Sequence, residues 1–249
     1  MKSRAPGGTK RQDRLAELPR DKGTEGRATR DEHHAPHHPA FKSPAAIVLI
    51  LTIAAAGLAA DLLSKHYVFK SVLDRPDMPQ RVARFVTTFE REYGRTPMPG
   101  EVLHHFQRQV MPGMRFTLST NPGVVFGLPM PRWLVAIAHA GAGILVLILF
   151  ATSDRGAHMI HVALALTLAG ALGNFYDRMF SQVVVPGYQA IRNQVRDFID
   201  CSQLHYKYIF NVADVFLVLG VVILILHWIL GARRDRAAQP GETSKPDTA

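Results

Sequence analysis

Four stretches of the chain are apolar at nearly every position, and polar residues set in abruptly around them. They are residues 45–63, 133–152, 157–174 and 209–230. Each is long enough, and poor enough in charge, to cross a hydrocarbon layer of about 30 Å as a helix. One such stretch alone would suit the buried helix of a soluble domain; four in one chain do not. Backbone polar groups in lipid must be satisfied within a helix or a closed barrel, so the pattern predicts an α-helical integral membrane protein with four transmembrane helices.

The segments between the spans carry different periods. In the long connection, 64–132, Val82, Phe85, Val86, Phe89 and Tyr93 recur at helical spacing with Arg81, Arg84, Glu90 and Arg91 between them. That is an amphipathic helix, suited either to the membrane interface or to packing on the protein's own outer domain. Val102, Leu103, Phe106 and Val110 suggest a shorter second helix after the breaker "RTPMPG". Residues 114–131 have strand character, interrupted by the turn signal Asn121-Pro122-Gly123. The second connection, 175–208, holds "QVVVPGY", a further short strand and turn.

Charge fixes an orientation and removes one function class. The formal net charge is +9. Residues 1–42 hold ten Lys/Arg against six Asp/Glu, and Arg233, Arg234, Arg236 and Lys245 follow the last span. Both ends therefore read as cytoplasmic, N-in and C-in, which an even number of spans permits. The basic ends read as solvated tails beside lipid, and no nucleic-acid partner is expected. Residues 1–42 are predicted to be a disordered basic tail and 232–249 a polar tail. "HHAPHH" at 33–38 is read as an unstructured coincidence and not a metal site. The single Cys201 rules out an intrachain disulfide. The small residues ending the first span resemble a cleavage site, but a tail of over forty residues precedes them, so the span is read as a retained anchor.

One acid stands where hydrocarbon is expected. If the fourth span begins at Ile209, Asp214 lies about 8 Å inside it. A carboxylate at such a depth costs a few kcal/mol and is a functional signal. On the N-in topology the end of span three and the start of span four share one face. Asn174, Asp177, Arg178, Asp197, Asp200, Asn211 and Asp214 then collect there. Two carboxylates held close in a low-dielectric site share a proton, and such a pair can activate water and protonate a leaving amine. The bland alternative makes each acid a helix cap or ion-pair partner; Asp177 beside Arg178 suits it well, Asp214 less so. On these grounds Asp177 and Asp197 are equal candidates for the second acid. HExxH, GxSxG, GxGxxG and P-loop patterns are missing from the sequence.

Five short motifs in order resemble the bacterial lipoprotein signal peptidases (signal peptidase II). They are "DLLSK" at 61–65, "NPGVVFG" at 121–127, "GNFYDR" at 173–178, "VRDF" at 195–198 and "FNVAD" at 210–214. The resemblance implies a membrane aspartic endopeptidase that removes the signal peptide from prolipoproteins, cutting before a diacylglyceryl-modified Cys. It places the catalytic pair at Asp197 and Asp214. It gives supporting or substrate-binding places to Asn121, Gly123, Phe126, Asn174, Asp177, Arg178, Asn211 and Ala213, and more structural ones to Asp61 and Lys65. It implies no metal or cofactor, a monomer in contact with membrane lipid, and a small β-cradle with an amphipathic helix at the periplasmic face of the inner membrane.

Residues 43–231 would form the peptidase domain. The chain departs from the family in Val124-Val125 where Ala-Ala is usual, in an insertion at about 75–113, and in the long Asp177-to-Asp197 spacing. Rival readings are a proton-coupled carrier using the same acids and an inactive lipid- or peptide-binding relative.

Overall fold

The structure of the protein, a computed structural model, describes residues 38–125 and 128–238. Four of its helices are long and apolar enough to cross a membrane. Helix α1 is Pro44–Leu73, α4 Arg132–Thr152, α5 His158–Phe180 and α6 Val212–Ala238. Two short helices, α2 (Met78–Tyr93) and α3 (Pro99–His105), follow α1. The strands are β1 (Gln107–Met111), β2 (Met114–Asn121), β3 (Val124–Val125), β4 (Leu128–Pro129), β5 (Gln182–Val183), β6 (Ile191–Arg192), β7 (Val195–Asp200) and β8 (Ile209–Phe210). The predicted tail residues 1–37 and 239–249, most of the His-rich stretch and Phe126 lie outside the described residues.

Helix α5 is the hub of the bundle and packs on α1, α4 and α6. Its sequence makes this possible, because Ala163, Ala165, Ala169, Gly170, Ala171 and Gly173 are all buried and let neighbouring backbones come close. A Cβ added at Gly57 of α1 would lie 2.8 Å from the Ala169 Cβ, so α1 and α5 touch through their smallest residues. The other three spanning helices leave large apolar side chains exposed, as lipid-facing helices do. Exposed aromatics mark two levels. Tyr67, Trp133, Tyr176 and Phe180 lie at one end of the bundle, and Phe41 and Trp228 at the other. At the second end the Ala40 N–H donates to the Ser153 carbonyl, and a Pro39–Asp154 bridge ties the chain before α1 to the α4–α5 turn.

Above the first end sits a sheet of order β1-β2-β7-β8, antiparallel throughout. The β2–β7 pairing sets Ser119 opposite Asp197 and Asn121 opposite Val195. A hydrophobic core joins this sheet to the helices: Val68, Phe69 and Val72 from α1, Met78 and Val82 from α2, Val102 and Leu103 from α3, and Leu118 and Phe198 from the sheet. The amphipathic helix therefore spends its apolar face on the protein itself, with Phe85 and Val86 packed against the same core. That decides between the two readings of its periodicity. Residues 75–113 hold α2, α3 and β1, and β1 forms one edge of the sheet.

Several boundaries differ from expectation, each for a local reason. Helix α1 runs ten residues past Leu63, because the charges that seemed to end the span are neutralised inside the protein. Val110 is not in the second short helix but is an exposed residue of β1. The β5–β6 hairpin accounts for the long spacing between Asp177 and Asp197; its loop buries Val185 in the outer core. Helix α6 starts at Val212, since Ile209 and Phe210 pair with β7 as β8, and it continues to Ala238.

Candidate active site

The first turn of α6 explains the position of Asp214. With the helix beginning at Val212, Asn211 is the N-cap and Asp214 the third helical residue, so the acid is not 8 Å deep. The Asn211 side-chain oxygen accepts from the Asp214 N–H at 3.1 Å, and Asp214 Oδ2 accepts from the Asn211 N–H at 3.1 Å. This is a capping box, which satisfies two otherwise orphaned backbone donors. The capping role, which the residues alone favoured less for Asp214, is thus realised. A third donor, the Ala213 N–H, goes to Asp61 Oδ1 of α1 at 2.8 Å. The positive end of α6 also favours a negative charge at this place.

The same residues hold the second acid. The Asn211 side-chain amide donates to Asp197 Oδ1 of β7 at 2.5 Å and to Asn174 Oδ1 of α5 at 3.1 Å. Asn174 in turn donates to Asp214 Oδ1 at 2.7 Å. Two asparagines therefore link Asp197 and Asp214 through one hydrogen-bonded circuit. Asp197 is buried while Asp214 is half-buried. Burial, and after it the charge of Asp214, push the Asp197 carboxyl up to about 8, against the hydrogen bond from Asn211. A carboxyl pushed up by burial thus stands beside one held by N–H donors.

Beneath this circuit lies a buried ionic layer. Lys65 Nζ is 2.7 Å from Asp61 Oδ2, 3.2 Å from Asp177 Oδ2 and 3.2 Å from Asn174 Oδ1. Asp177 also accepts from the Arg196 guanidinium, at 2.6 Å and 3.0 Å, and from the Arg196 N–H at 3.0 Å. The expected pairing of Asp177 with Arg178 does not occur. Arg178 instead donates to the Asn174 carbonyl at 3.1 Å and lies 3.3 Å from His139 Nε2. Asp177 is an ion-pair partner of the layer, and Asp197 is the acid in the circuit with Asp214. Asp200, the fourth acid of the cluster, is bound to Arg115 at 2.7 Å and accepts from Thr117 and Ser202. Burial raises its carboxyl, but the combined hydrogen bonds outweigh this and hold it well below the usual range.

Gly173 explains how the helices meet here. A Cβ at this position would run into the Asp61 carboxylate and lie 3.3 Å from the Ala213 Cβ. Gly173→Ala is expected to force α5 and α6 apart, break the Asp61–Ala213 bond and cost about 1–3 kcal/mol. Thermal unfolding of the purified protein in detergent would measure this; an unchanged midpoint would show that the interface has slack.

Two apolar cavities flank the site. One of about 300 Å³ beside Asp214 is lined by Cys201, Tyr206, Phe210, Val215 and Val218. The other, of about 440 Å³, lies beside Arg178 and is lined by Trp133, Val135, Ile137 and Asn193. Asn121 and Gly123 sit at the second cavity's edge, where Asn121 Oδ1 accepts from the Gly123 N–H at 2.9 Å and Pro122 joins the lining. Gly123 has φ +102°, and a Cβ there would meet Val135 at 3.3 Å.

Sequence reasoning passed over Arg196, His139 and the lining role of Cys201. Arg196 lay within a quoted motif without a role. His139 stands inside the second apolar span, whose only other polar side chain is the terminal Thr152, a signal in itself.

Residues 53–230 match the family described as Signal peptidase (SPase) II. The lipoprotein signal peptidase of Teredinibacter turnerae is 34% identical over 127 residues, covering 47% of this chain and 67% of that protein. The lipoprotein signal peptidase of Bacillus subtilis is 31% identical over 125 residues, covering 49% and 74%. A solved bacterial membrane enzyme shares the fold with a TM-score of 0.50 at 20% identity, over 84% of this chain and 99% of that one. The four spanning helices and the match over most of their length make this a multi-pass membrane protein, and the chain belongs to the signal peptidase II family of peptidases.

Proposed function

We propose that the protein removes signal peptides from prolipoproteins, cutting before a diacylglyceryl-modified Cys with water activated between Asp197 and Asp214. The circuit through Asn174 and Asn211 is the observation that carries this reading. Asp214, at the helix N-terminus and reachable from the flanking cavity, takes the proton from water as it attacks the scissile carbonyl. Asp197, which keeps its proton at neutral pH, hydrogen-bonds the carbonyl oxygen and then supplies the leaving amine. Asn174 and Asn211 hold both carboxyls in place. Asp61, Lys65, Asp177 and Arg178 orient them from beneath and from the side.

The apolar cavities on either side of the pair suit a substrate with an apolar signal segment and acyl chains. The carboxylates all lie at one end of the bundle, which suits cleavage at a membrane face better than a relay across it. The basic flanks support an orientation with both ends inside, which in the bacterial inner membrane puts the site at the periplasmic face. The chain acts as a monomer within lipid, with residues 43–231 as its peptidase domain.

The test is cleavage of a purified prolipoprotein, with and without its diacylglyceryl group, by the parent protein and by Asp214→Asn. The parent should release the signal peptide from the lipidated precursor only. Asp214→Asn should slow this by roughly 10²–10⁴-fold, the usual contribution of a general base. Full-rate cleavage by the variant would remove Asp214 from the mechanism.

A further inference from the structure

A separate cavity of about 280 Å³ lies where α1 leaves the bundle. His66, Lys70 and Asp74 line it from successive turns of α1, and Gln182 and Arg196 line it from the opposite wall. Lys70 stands three residues beyond the exposed Tyr67, and Gln182 two beyond the exposed Phe180, so the cavity opens at the interfacial level marked by these aromatics. The mixed polar and apolar lining fits that level, and the apolar Val184 there is 58% exposed.

The charges in this cavity balance but do not merge. Lys70 and Asp74 are opposite in sign and one helical turn apart, about 6 Å along the axis. Arg196 brings a positive charge already offset by Asp177. A purely anionic group would meet Asp74 as well as Lys70. A dipolar group, with its negative end toward the bilayer and its positive end outward, would meet one partner at each end. Asp74 is also oddly placed for stability. It is the C-cap of α1, with its N–H on the Lys70 carbonyl at 3.0 Å, where the helix dipole disfavours a carboxylate. A bound ammonium would be held by the carboxylate and by the helix end together.

We infer that this cavity binds the phosphoethanolamine headgroup of a membrane phospholipid, with phosphate against Lys70 and Arg196 and the ammonium against Asp74. The headgroup order matches the order along α1. Phosphate lies nearer the glycerol and the bilayer, as Lys70 does, and the amine lies further out, as Asp74 does. A choline headgroup carries the same charges but has no N–H to donate to Asp74, and a glycerol headgroup has no positive charge for it. The site is distinct from the carboxylate pair and does not depend on the reaction proposed for it.

The experiment is binding of short-chain phosphatidylethanolamine, phosphatidylglycerol and phosphatidylcholine to the full-length protein in detergent, read by native mass spectrometry. The ethanolamine lipid should bind at least fivefold more tightly than either other. Lys70→Ala should weaken the ethanolamine and glycerol lipids alike. Asp74→Asn should erase the preference while leaving phosphate-dependent binding and peptide cleavage intact, which also shows that the variant is folded. Equal binding of the three lipids to the parent overturns the inference, as does a preference that survives both substitutions. O-phosphoethanolamine and inorganic phosphate separate the sources: competition by either at the lipid's own concentration would make the ligand a soluble phosphate compound and overturn the lipid assignment.

Discussion

Asp197→Asn is expected to make the protein more stable at pH 8 while abolishing cleavage. The unfolded carboxyl titrates near 4 and the folded one at about 8. Below pH 4 both states hold the proton and the carboxyl costs nothing extra. Between pH 4 and 8 only the folded state holds it, so unfolding releases a proton and stability falls as pH rises, by up to about 1.4 kcal/mol per unit. Above about 8 the loss is complete and amounts to a few kcal/mol. An amide does not titrate, keeps the shape and still accepts from Asn211, so the variant should gain on the parent across that window and level off above it. Cleavage should fall by roughly 10²–10⁴-fold at every pH, the share of a general acid. The parent's own activity should drop as pH passes about 8, when Asp197 loses its proton. Thermal unfolding midpoints at pH 5, 7 and 9 for both proteins check the first part. Parallel pH dependence in parent and variant would mean that Asp197 is ionised throughout and is not the acid of the pair.

Lys65→Met is expected to be the most damaging single change outside the pair. The side chain is fully buried and joins Asp61 and Asp177, neither of which reaches solvent. Removing it leaves two buried carboxylates, one still held by Arg196 and the other only by the Ala213 N–H. Breaking a buried ion pair by deleting one partner costs about 3–5 kcal/mol, because the orphaned charge remains. The loss also leaves Asn211 as the remaining donor to Asn174 Oδ1, which loosens the residue that orients Asp214. Both stability and activity should fall, and the double change Lys65→Met with Asp61→Asn should recover part of the stability by removing an orphan. If the double variant is no better than the single one, Asp61 is not paying for the missing lysine.

The spans and the five motifs could be read from the sequence because they depend on local composition and spacing. The membrane pattern survives any error of a few residues at its edges. What failed were inferences that needed partners far along the chain. The first span was read to Leu63, where the apolar run gives out near Asp61 and Lys65, yet these two lie 4 residues apart on a helix and neutralise each other, so α1 continues. Asp177 and Arg178 seemed natural partners, but successive residues on a helix point about a quarter-turn apart. Asp177 faces Arg196 instead, 19 residues on. The Asp197 role came from a motif and not from a pattern: β7 is buried on both faces, so it has no alternation to reveal which side chains turn toward the site. The depth of Asp214 was misjudged for a similar reason. Ile209 and Phe210 are apolar enough for a span but pair as a strand, and only that pairing shows where the helix begins.

The capping box at α6 carries a consequence for where a peptide can be cut. The carboxyl of Asp214 cannot swing without unfastening the first turn of its helix, so it sits at a constant height above the hydrocarbon. Asp197 is tied to the same turn through Asn211. On the mechanism proposed above, such a pair would act as a depth gauge: the bond it breaks would be the one that the substrate's own anchorage in the bilayer brings to that height.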